Sequence, residues 1–404
     1  MAEIAHAYVE QLTQQTTTSG SFVDVTGVSI GSGSFVAGQK YLIYVSGYTQ
    51  HAASGDEGQV QMVHGSTAFT DSRVRHNQQT GTANQVRQYC WFTVWTAVAA
   101  EGVKMQFLAN AGTMKVNQVT FYTMRLDADL VENTDWFYNE VSASTTLSTT
   151  DSTTNNATVT FTPVASHDWL VLTGSSESTT SISNGMRSRQ VSAGTFNDTN
   201  PFVSSVIDAT TEILFLSLIR AYPALGASAQ TFTEKSSESA GTTCTRSFSN
   251  IFVLDLNKFA AHSVTYTQAV IALGTTSYGT NVATISFDPT GTTDCVVIGA
   301  TTFDGNAGGR TNRQRVQVDG VSAPNSTDQN LDNVNNNGSD EDAHYLMFMD
   351  SMASGSKTIN LDGSTNDTTN TPGSKNRQIA AFTTLLPGGA PPPTVKALAD
   401  LGVG

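Results

Sequence analysis

Two matching stretches of sequence decide the fold: Asn156-Ala-Thr-Val-Thr-Phe-Thr-Pro163 and Val282-Ala-Thr-Ile-Ser-Phe-Asp-Pro289. They align without a gap, at an offset of 126 residues (156 to 282). The same offset places His167-Asp-Trp-Leu-Val-Leu172 on Thr293-Asp-Cys-Val-Val-Ile298. Matches that share one register over a long stretch indicate a duplicated structural unit.

A third copy lies upstream, with small gaps in the alignment. Its strand 39–44 aligns with the strands that contain Trp169 and Cys295, so Tyr41, Trp169 and Cys295 are predicted to fill one core position. Later apolar strands follow in the same order in every copy, at 91–95, 213–219 and 345–349, and at 117–121, 249–253 and 377–381. The predicted domains are therefore residues 1–130, 131–257 and 258–386.

Composition and strand pattern predict an all-β chain. Only 13% of the 404 residues are charged, and Thr, Ser, Asn and Gly take their place. Thr suits strands, whereas Asn, Gly and Ser favour turns. Several short strands in each unit of about 125 residues are typical of a β-sandwich or jelly roll. We predict three tandem β-sandwich (jelly-roll-like) repeats.

The C-terminus, residues 387–404, departs from the repeats. A Pro- and Gly-rich spacer follows Leu386, and proline there excludes a helix or a central strand. The short arm beyond it carries Val395, Leu398 and Leu401 as its apolar residues. It is either a frayed tail or a peptide that docks on a neighbouring protein.

Charge and targeting signals restrict the partners. The net charge is −14, from 20 basic and 34 acidic residues, which disfavours binding to nucleic acid or to an anionic membrane. The N-terminus has no secretion signal, and no apolar run approaches the ~20 residues that cross a bilayer. Cys90, Cys244 and Cys295 are too widely spaced to indicate a disulfide framework or a zinc site. We expect a protein made in the cytoplasm, without a cofactor.

No pattern of residues predicts catalysis. Gly27-Val-Ser29-Ile-Gly31 matches the GxSxG motif, but no helix signal follows it, as a nucleophile elbow requires. The seven histidines occupy no shared repeat position. The tryptophans could form a carbohydrate platform, but Trp91, Trp95 and Trp169 lie at repeat-equivalent strand positions, which favours core packing.

One loop comes closest to a metal-binding pattern. Asn333, Asn335 and Asn337 precede Gly338, which imitates the start of a calcium loop, and Asp340 and Asp342 follow. The first position lacks Asp, and His344 replaces the twelfth-position Glu. We therefore predict no metal site and keep these residues as the nearest candidates.

Arg-x-Arg pairs are the most repeated polar feature of the chain. Arg187/Arg189 aligns with Arg313/Arg315 at the common offset, and in the upstream copy Arg73/Arg75 is aligned with the same pair. Residues two apart in a strand share one face, so each pair would form a two-pronged cationic patch. Such a patch either pairs with a carboxylate inside its own repeat or binds an acidic partner surface.

The chain resembles the virion structural proteins of tailed bacteriophages, on composition and repeat architecture rather than on a family motif. The resemblance implies a non-enzymatic virion protein, most simply a capsid decoration (cement) protein. Its expected partners are other virion proteins, the major capsid protein first, and further copies of the chain itself, with no contact with nucleic acid or membrane. The second hypothesis is a tail, baseplate or head-fibre adhesin that binds host-surface glycan. A polysaccharide depolymerase is disfavoured, since no Asp/Glu pair recurs at repeat-related positions.

Overall fold

The structure, a computed structural model, confirms the all-β sandwich prediction. It describes residues 3–53, 56–77, 86–152, 154–179, 185–193, 202–206, 213–238, 244–269, 271–273, 278, 280–305, 310–322, 331–333, 340–365 and 373–387. Within these ranges the regular structure is β-strand, with two short 3₁₀ turns at Ser32–Ser34 and Leu256–Lys258 and no α-helix.

The strands fall into three consecutive groups. The first contains β1 (His6–Gln11), β2 (Gln15–Thr17), β3 (Val23–Ile30), β4 (Lys40–His51), β5 (Glu57–His64), β6 (Thr67–Ala68), β7 (Val74–Asn77), β8 (Val86–Thr96), β9 (Val103–Ala111) and β10 (Met114–Arg125). The second contains β11 (Trp136–Val141), β12 (Thr145–Thr146), β13 (Thr158–Phe161), β14 (His167–Thr179), β15 (Gly185–Ala193), β16 (Phe202–Val206), β17 (Ile213–Leu225), β18 (Gln230–Glu238) and β19 (Cys244–Asp255). The third contains β20 (His262–Thr267), β21 (Ile271–Ala272), β22 (Thr280–Phe287), β23 (Thr293–Gly305), β24 (Arg310–Val318), β25 (Val321–Ser322), β26 (Leu331–Asn333), β27 (Asp340–Met352), β28 (Lys357–Thr365) and β29 (Gly373–Thr383).

Each group has the same strand order. Leaving aside the shortest strands, one sheet runs first-eighth-third-sixth: β1-β10-β4-β8, β11-β19-β14-β17 and β20-β29-β23-β27. The other runs second-seventh-fourth-fifth: β3-β9-β5-β7, β13-β18-β15-β16, and β22-β28-β24 with β25 or β26 beside it. Eight antiparallel strands in two such sheets form a jelly roll. We call the first kind the central sheets and the second kind the outer sheets.

The central sheets are buried on both faces, which explains their unbroken apolar runs. In β14, Trp169 and Val171 point into the core of the second jelly roll, whereas Leu170 and Leu172 join a cluster shared by all three. Strand β23 does the same, with Val297 facing its own core and Ile298 the shared cluster. The three jelly rolls therefore pack against one another through their central sheets.

The segment before β1 contacts the segment that follows β29. The backbone N–H of Ile4 donates to Thr384 O at 2.8 Å, and Glu3 forms a β-bridge with Leu385. Strand β7 of the first group also meets β17 of the second through one residue pair, Arg75 with Ile213. The division of the chain at residues 130 and 257 remains a prediction.

Candidate functional site

The arginine pairs lie on outer sheets, but not all at equivalent positions. Arg187/Arg189 and Arg313/Arg315 lie in β15 and β24, the fourth strands of their jelly rolls. Arg75 lies in β7, a fifth strand, and Arg73 precedes that strand. The alignment of Arg73/Arg75 with the other two pairs was therefore wrong. The fourth strand of the first repeat is β5, which begins at Glu57.

In the first repeat the arginines contact their own domain. Arg75 Nη2 forms an ion pair with Glu57 Oε1 at 2.5 Å, from the adjacent strand β5. Arg73 is exposed, donates to Gln61 Oε1 at 3.2 Å and lies over the ring of Phe22 at 5.2 Å. Arg75 is thus engaged in an internal pair between neighbouring strands.

In the third repeat, Arg315 is similarly engaged. Its Nε lies 2.8 Å from Asp362 Oδ2, whose side chain is 2% exposed, and its guanidinium lies over the ring of Tyr278 at 4.5 Å. Arg313 lies two residues before it and is half-buried. The side chains of Arg187 and Arg189 lie outside the described residues. Internal Arg–carboxylate pairs, one of the two interpretations from sequence, therefore hold for Arg75 and Arg315.

Three equivalent residues of the sixth strands converge where the central sheets meet. Cys90, Ser217 and Tyr345 lie opposite Ser46, Gly174 and Ala300 in the third strands of their repeats. Ser217 Oγ donates to Cys90 O at 2.8 Å, and the Tyr345 hydroxyl donates to Ser217 O. Gln88 connects the first repeat to the third, because its side-chain amide exchanges two hydrogen bonds with the backbone of Tyr345, at 2.7 and 2.9 Å.

Amide side chains connect neighbouring repeats in one direction. Asn250, opposite Gly174 in the second repeat, donates to Phe92 O in the sixth strand of the first repeat at 2.9 Å. Gln378, opposite Ala300 in the third repeat, donates to Ile219 O in the sixth strand of the second repeat. The Gln378 carbonyl oxygen also accepts from Ala221 N at 2.7 Å. The second repeat thus contacts the first, and the third contacts the second, through equivalent amide side chains. With the contact of Gln88 to Tyr345 between the first and third repeats, the three repeats surround a common centre.

The second jelly roll also encloses a polar network. Arg246 is fully buried, and its Nη1 lies 2.9 Å from Glu234 Oε2, also fully buried. The same nitrogen contacts Asn156 Oδ1 at 2.9 Å, and Nη2 donates to the backbone oxygens of Thr154 and Asn155. These contacts bind the outer strand β18 to the central strand β19.

Glu177 lies beside this network and is fully buried. Its Oε1 accepts from Ser175 Oγ at 2.8 Å. Burial and the nearby Glu234 carboxylate raise the pKa of Glu177 to about 8. Glu177 is therefore a neutral carboxylic acid at pH 7, enclosed in the domain core rather than open to a substrate.

The residues considered for catalysis and for sugar binding lie within strands or in the buried cores. Ser29 lies within strand β3, after a register shift that follows Asp24, and pairs with Lys104, so the strand continues past it and the strand-to-helix turn of a nucleophile elbow is not formed there. The four tryptophans are buried, between 0% and 8% exposed, as the core-packing interpretation predicted. Among the histidines, His6 contacts Asp294, 288 residues away in the sequence.

Two predicted features lie wholly or largely outside the described residues. In the acidic loop, only the backbone of Asn333, Asp340 and Asp342 is described, in β26 and β27, and Asn335 and Asn337 fall outside. Val395, Leu398 and Leu401 of the C-terminal arm also fall outside. Within the described ranges, the group with metal-ligand composition is instead Glu3, His6 and Asp294.

Comparisons with known proteins give distant structural likenesses. No protein-family model and no curated protein matches the sequence. A peptide-N4-(N-acetyl-β-D-glucosaminyl) asparagine amidase is similar at TM-score 0.33 and 10% identity, over 63% of this chain and 98% of that one. A chain of Sulfolobus turreted icosahedral virus is similar at TM-score 0.20 and 9% identity, over 93% and 92%. VP2 of infectious bursal disease virus is similar at 0.21 and 10%, over 85% and 72%. Virus capsid proteins are thus among the weak structural neighbours, and likenesses this distant assign no role to the chain.

The described part of the chain contains no helix long and apolar enough to span a membrane.

Proposed function

We propose that this chain is a non-enzymatic structural protein of a bacteriophage virion, a decoration protein that binds the outer surface of the capsid. The observation that carries the proposal is the convergence of Cys90, Ser217 and Tyr345 at the centre of three jelly rolls with one strand order. A single chain built in this way presents three similar outer sheets around one centre. Such a body is suited to a partner that is itself arranged around a three-fold axis.

The interiors of the jelly rolls support a structural role. The second is filled by aromatic and aliphatic side chains around Trp169 and Phe232, and the third by a cluster around Phe287 and Phe348. Both faces of the central sheets are used for packing, which leaves the outer sheets and the connecting loops for partners. A rigid block with filled cores transmits load between bound neighbours.

Attachment would use several weak contacts that act together. Three tethered modules raise overall avidity by roughly 10²–10⁴ over one module when all can bind at once. The outer-sheet arginines Arg187, Arg189 and Arg313 are candidate contacts to an acidic capsid surface. The arm with Val395, Leu398 and Leu401 is a candidate additional clamp, and the major capsid protein is the expected partner.

The proposal is tested by reconstitution. Purified chain is mixed with capsids assembled without it, and the bound fraction is measured by sedimentation over a range of salt concentrations. We expect saturable binding at a fixed ratio to the major capsid protein. Binding to a host glycan array without binding to capsids would favour the adhesin, and release of glycans from a glycopeptide would contradict a non-enzymatic protein.

Variants separate the arm from the arginines. Deletion of residues 395–404 should weaken attachment and leave the melting temperature unchanged, because the Pro-rich spacer separates the arm from the cores. Replacement of Arg187 and Arg189 by alanine should weaken attachment further. The matched control is Arg75→Ala, which removes an internal ion pair and should lower stability rather than capsid affinity.

A further inference from the structure

The first and third repeats meet at a small cluster of titratable side chains near the N-terminus. One donor atom each from Glu3, His6 and Asp294 all lie within 4.8 Å of one another. Glu3 precedes the first strand of repeat one and His6 begins it, whereas Asp294 lies in the third strand of repeat three. An imidazole and two carboxylates form a ligand set that zinc accepts in proteins.

The hydrogen bonds of His6 direct one ring nitrogen into the cluster. Nδ1 lies 2.8 Å from Ile4 O, and since a carbonyl oxygen only accepts, Nδ1 carries a proton. Metal-binding histidines usually donate their second nitrogen in this way. In the neutral ring, Nε2 then presents a lone pair to Asp294 Oδ2 at 3.3 Å. Two acceptors face each other, and a positive charge between them, a proton or a metal ion, removes the repulsion.

The spacing of His6 Nε2 and Asp294 Oδ2 suits a metal ion. For metal–ligand bonds of about 2.0–2.1 Å, two ligands of a tetrahedral zinc ion lie about 3.3 Å apart, which matches the separation of Nε2 and Oδ2. Glu3 Oε1 lies 3.9 Å from His6 Nδ1 and accepts from Thr384 Oγ1 at 3.1 Å, so the Glu3 side chain must move to share an ion with Nε2. Asp294 is 35% exposed, which leaves a route from solvent for the ion.

A buried hydroxyl provides an independent observation. Tyr122 is 2% exposed, and its hydroxyl has no hydrogen-bond partner among the described residues. Tyr122 lies on the face of its sheet that carries His6, since β1 and β10 pair His6 with Met124 and Tyr8 with Tyr122. The ring centroids of Tyr122 and His6 lie 6.5 Å apart, which places this phenol beside the cluster. A buried hydroxyl without a partner is unfavourable unless something at the cluster completes it.

We propose that Glu3, His6 and Asp294 bind one divalent transition-metal ion, with Zn²⁺ as the best-matched ion, and that this ion fastens the first repeat to the third. A water molecule completes the coordination and hydrogen-bonds with Tyr122. The ion closes the arrangement where the segment before β1 meets the segment after β29. The metal-site proposal does not rest on capsid binding, and it can be tested on the purified chain alone.

The experiment is a titration of chelator-treated full-length protein with ZnCl₂ at pH 7, followed by calorimetry and by thermal unfolding. We expect one ion per chain and a rise in melting temperature of about 3 °C at a hundred-fold excess over Kd. His6→Gln and Asp294→Asn should each abolish both signals. The matched control is His64→Gln, which removes the His64–Glu101 contact of 2.6 Å. This pair has no third ligand among the described residues, so the variant should bind zinc like the wild type.

Should the His6 or Asp294 variants fail to fold, Co²⁺ absorption of the wild type against Glu3→Gln gives a second measurement. A weak visible band of a tetrahedral Co²⁺ ion in the wild type, lost in Glu3→Gln, supports the site. Absence of binding by Zn²⁺, Co²⁺ and Mn²⁺ to the wild type would overturn the proposal and leave a proton-held ion pair between His6 and Asp294. Full binding in His6→Gln would equally overturn it.

Discussion

Glu177→Gln should make the protein more stable, and more so as the pH rises. Glu177 is fully buried beside Glu234, and its pKa is raised from 4.5 to about 8. In the unfolded chain it ionises above pH 4.5, so between about pH 5 and pH 8 the folded state holds the extra proton. Stability therefore falls with rising pH in that window, because the unfolded state binds fewer protons. Glutamine keeps the shape of the protonated acid and cannot ionise.

The size of the effect follows from the two pKa values. pH 7 is 2.5 units above 4.5, the pKa of Glu177 in the unfolded chain. At about 1.4 kcal/mol per unit, ionisation of the unfolded chain lowers the free energy of unfolding by roughly 3 kcal/mol. At pH 5 the same calculation leaves only about 1 kcal/mol. Glu177→Gln should recover most of this at pH 7 and little at pH 5.

Scanning calorimetry of wild type and variant at pH 5, 7 and 8 measures the difference directly. The matched control is Glu234→Gln, which leaves the buried Arg246 guanidinium without its carboxylate and should lower stability by about 3–5 kcal/mol at pH 5, where Glu177 contributes little. If Glu177→Gln is no more stable than wild type at pH 8, or if its advantage is the same at pH 5, the burial argument is refuted.

Three further predictions concern the packing of the chain. His76 is fully buried, and burial holds its pKa well below 6.5. Below pH 6.5 the unfolded state therefore binds more protons than the folded state, and acid should lower the free energy of unfolding by up to about 1.4 kcal/mol per pH unit. His76→Leu should reduce this slope, measured by urea unfolding at several pH values. Leu172→Ala should destabilise by about 2–5 kcal/mol and raise hydrogen exchange in all three repeats, whereas the change at the opposite face, Val171→Ala, should raise it mainly in the second. Arg315→Ala should cost about 2 kcal/mol in thermal unfolding, because it leaves the Asp362 carboxylate buried without its partner, and equal stability at pH 7 would contradict the internal ion pair.

The repeat and its strands could be predicted from sequence because their signals are local. The ungapped match between residues 156–163 and 282–289 reflects one strand position, since both segments include the second strand of a jelly roll. The shared core position of Tyr41, Trp169 and Cys295 is also observed, as all three are buried five residues before the equivalent residues Ser46, Gly174 and Ala300.

The packing between repeats was harder to predict. The run Trp169–Leu172 has no polar residue, and this was the available signal that the strand is buried on both faces. The equivalence of Arg73/Arg75 failed because the first repeat has Glu57 and Gln59 in its fourth strand, and the nearest arginines lie one strand later. His6 and Asp294 meet only through the tertiary fold, and no spacing in the sequence could indicate a contact over 288 residues.

The most direct test of the proposed function is the location and number of copies of this chain in purified virus particles, measured by cryo-electron microscopy together with quantitative mass spectrometry. If the chain is a decoration protein, we expect many copies at regular positions over the capsid, with each chain bound where three capsid subunits meet. A few copies at one vertex or on the tail, or no copies in the particle, would contradict the account.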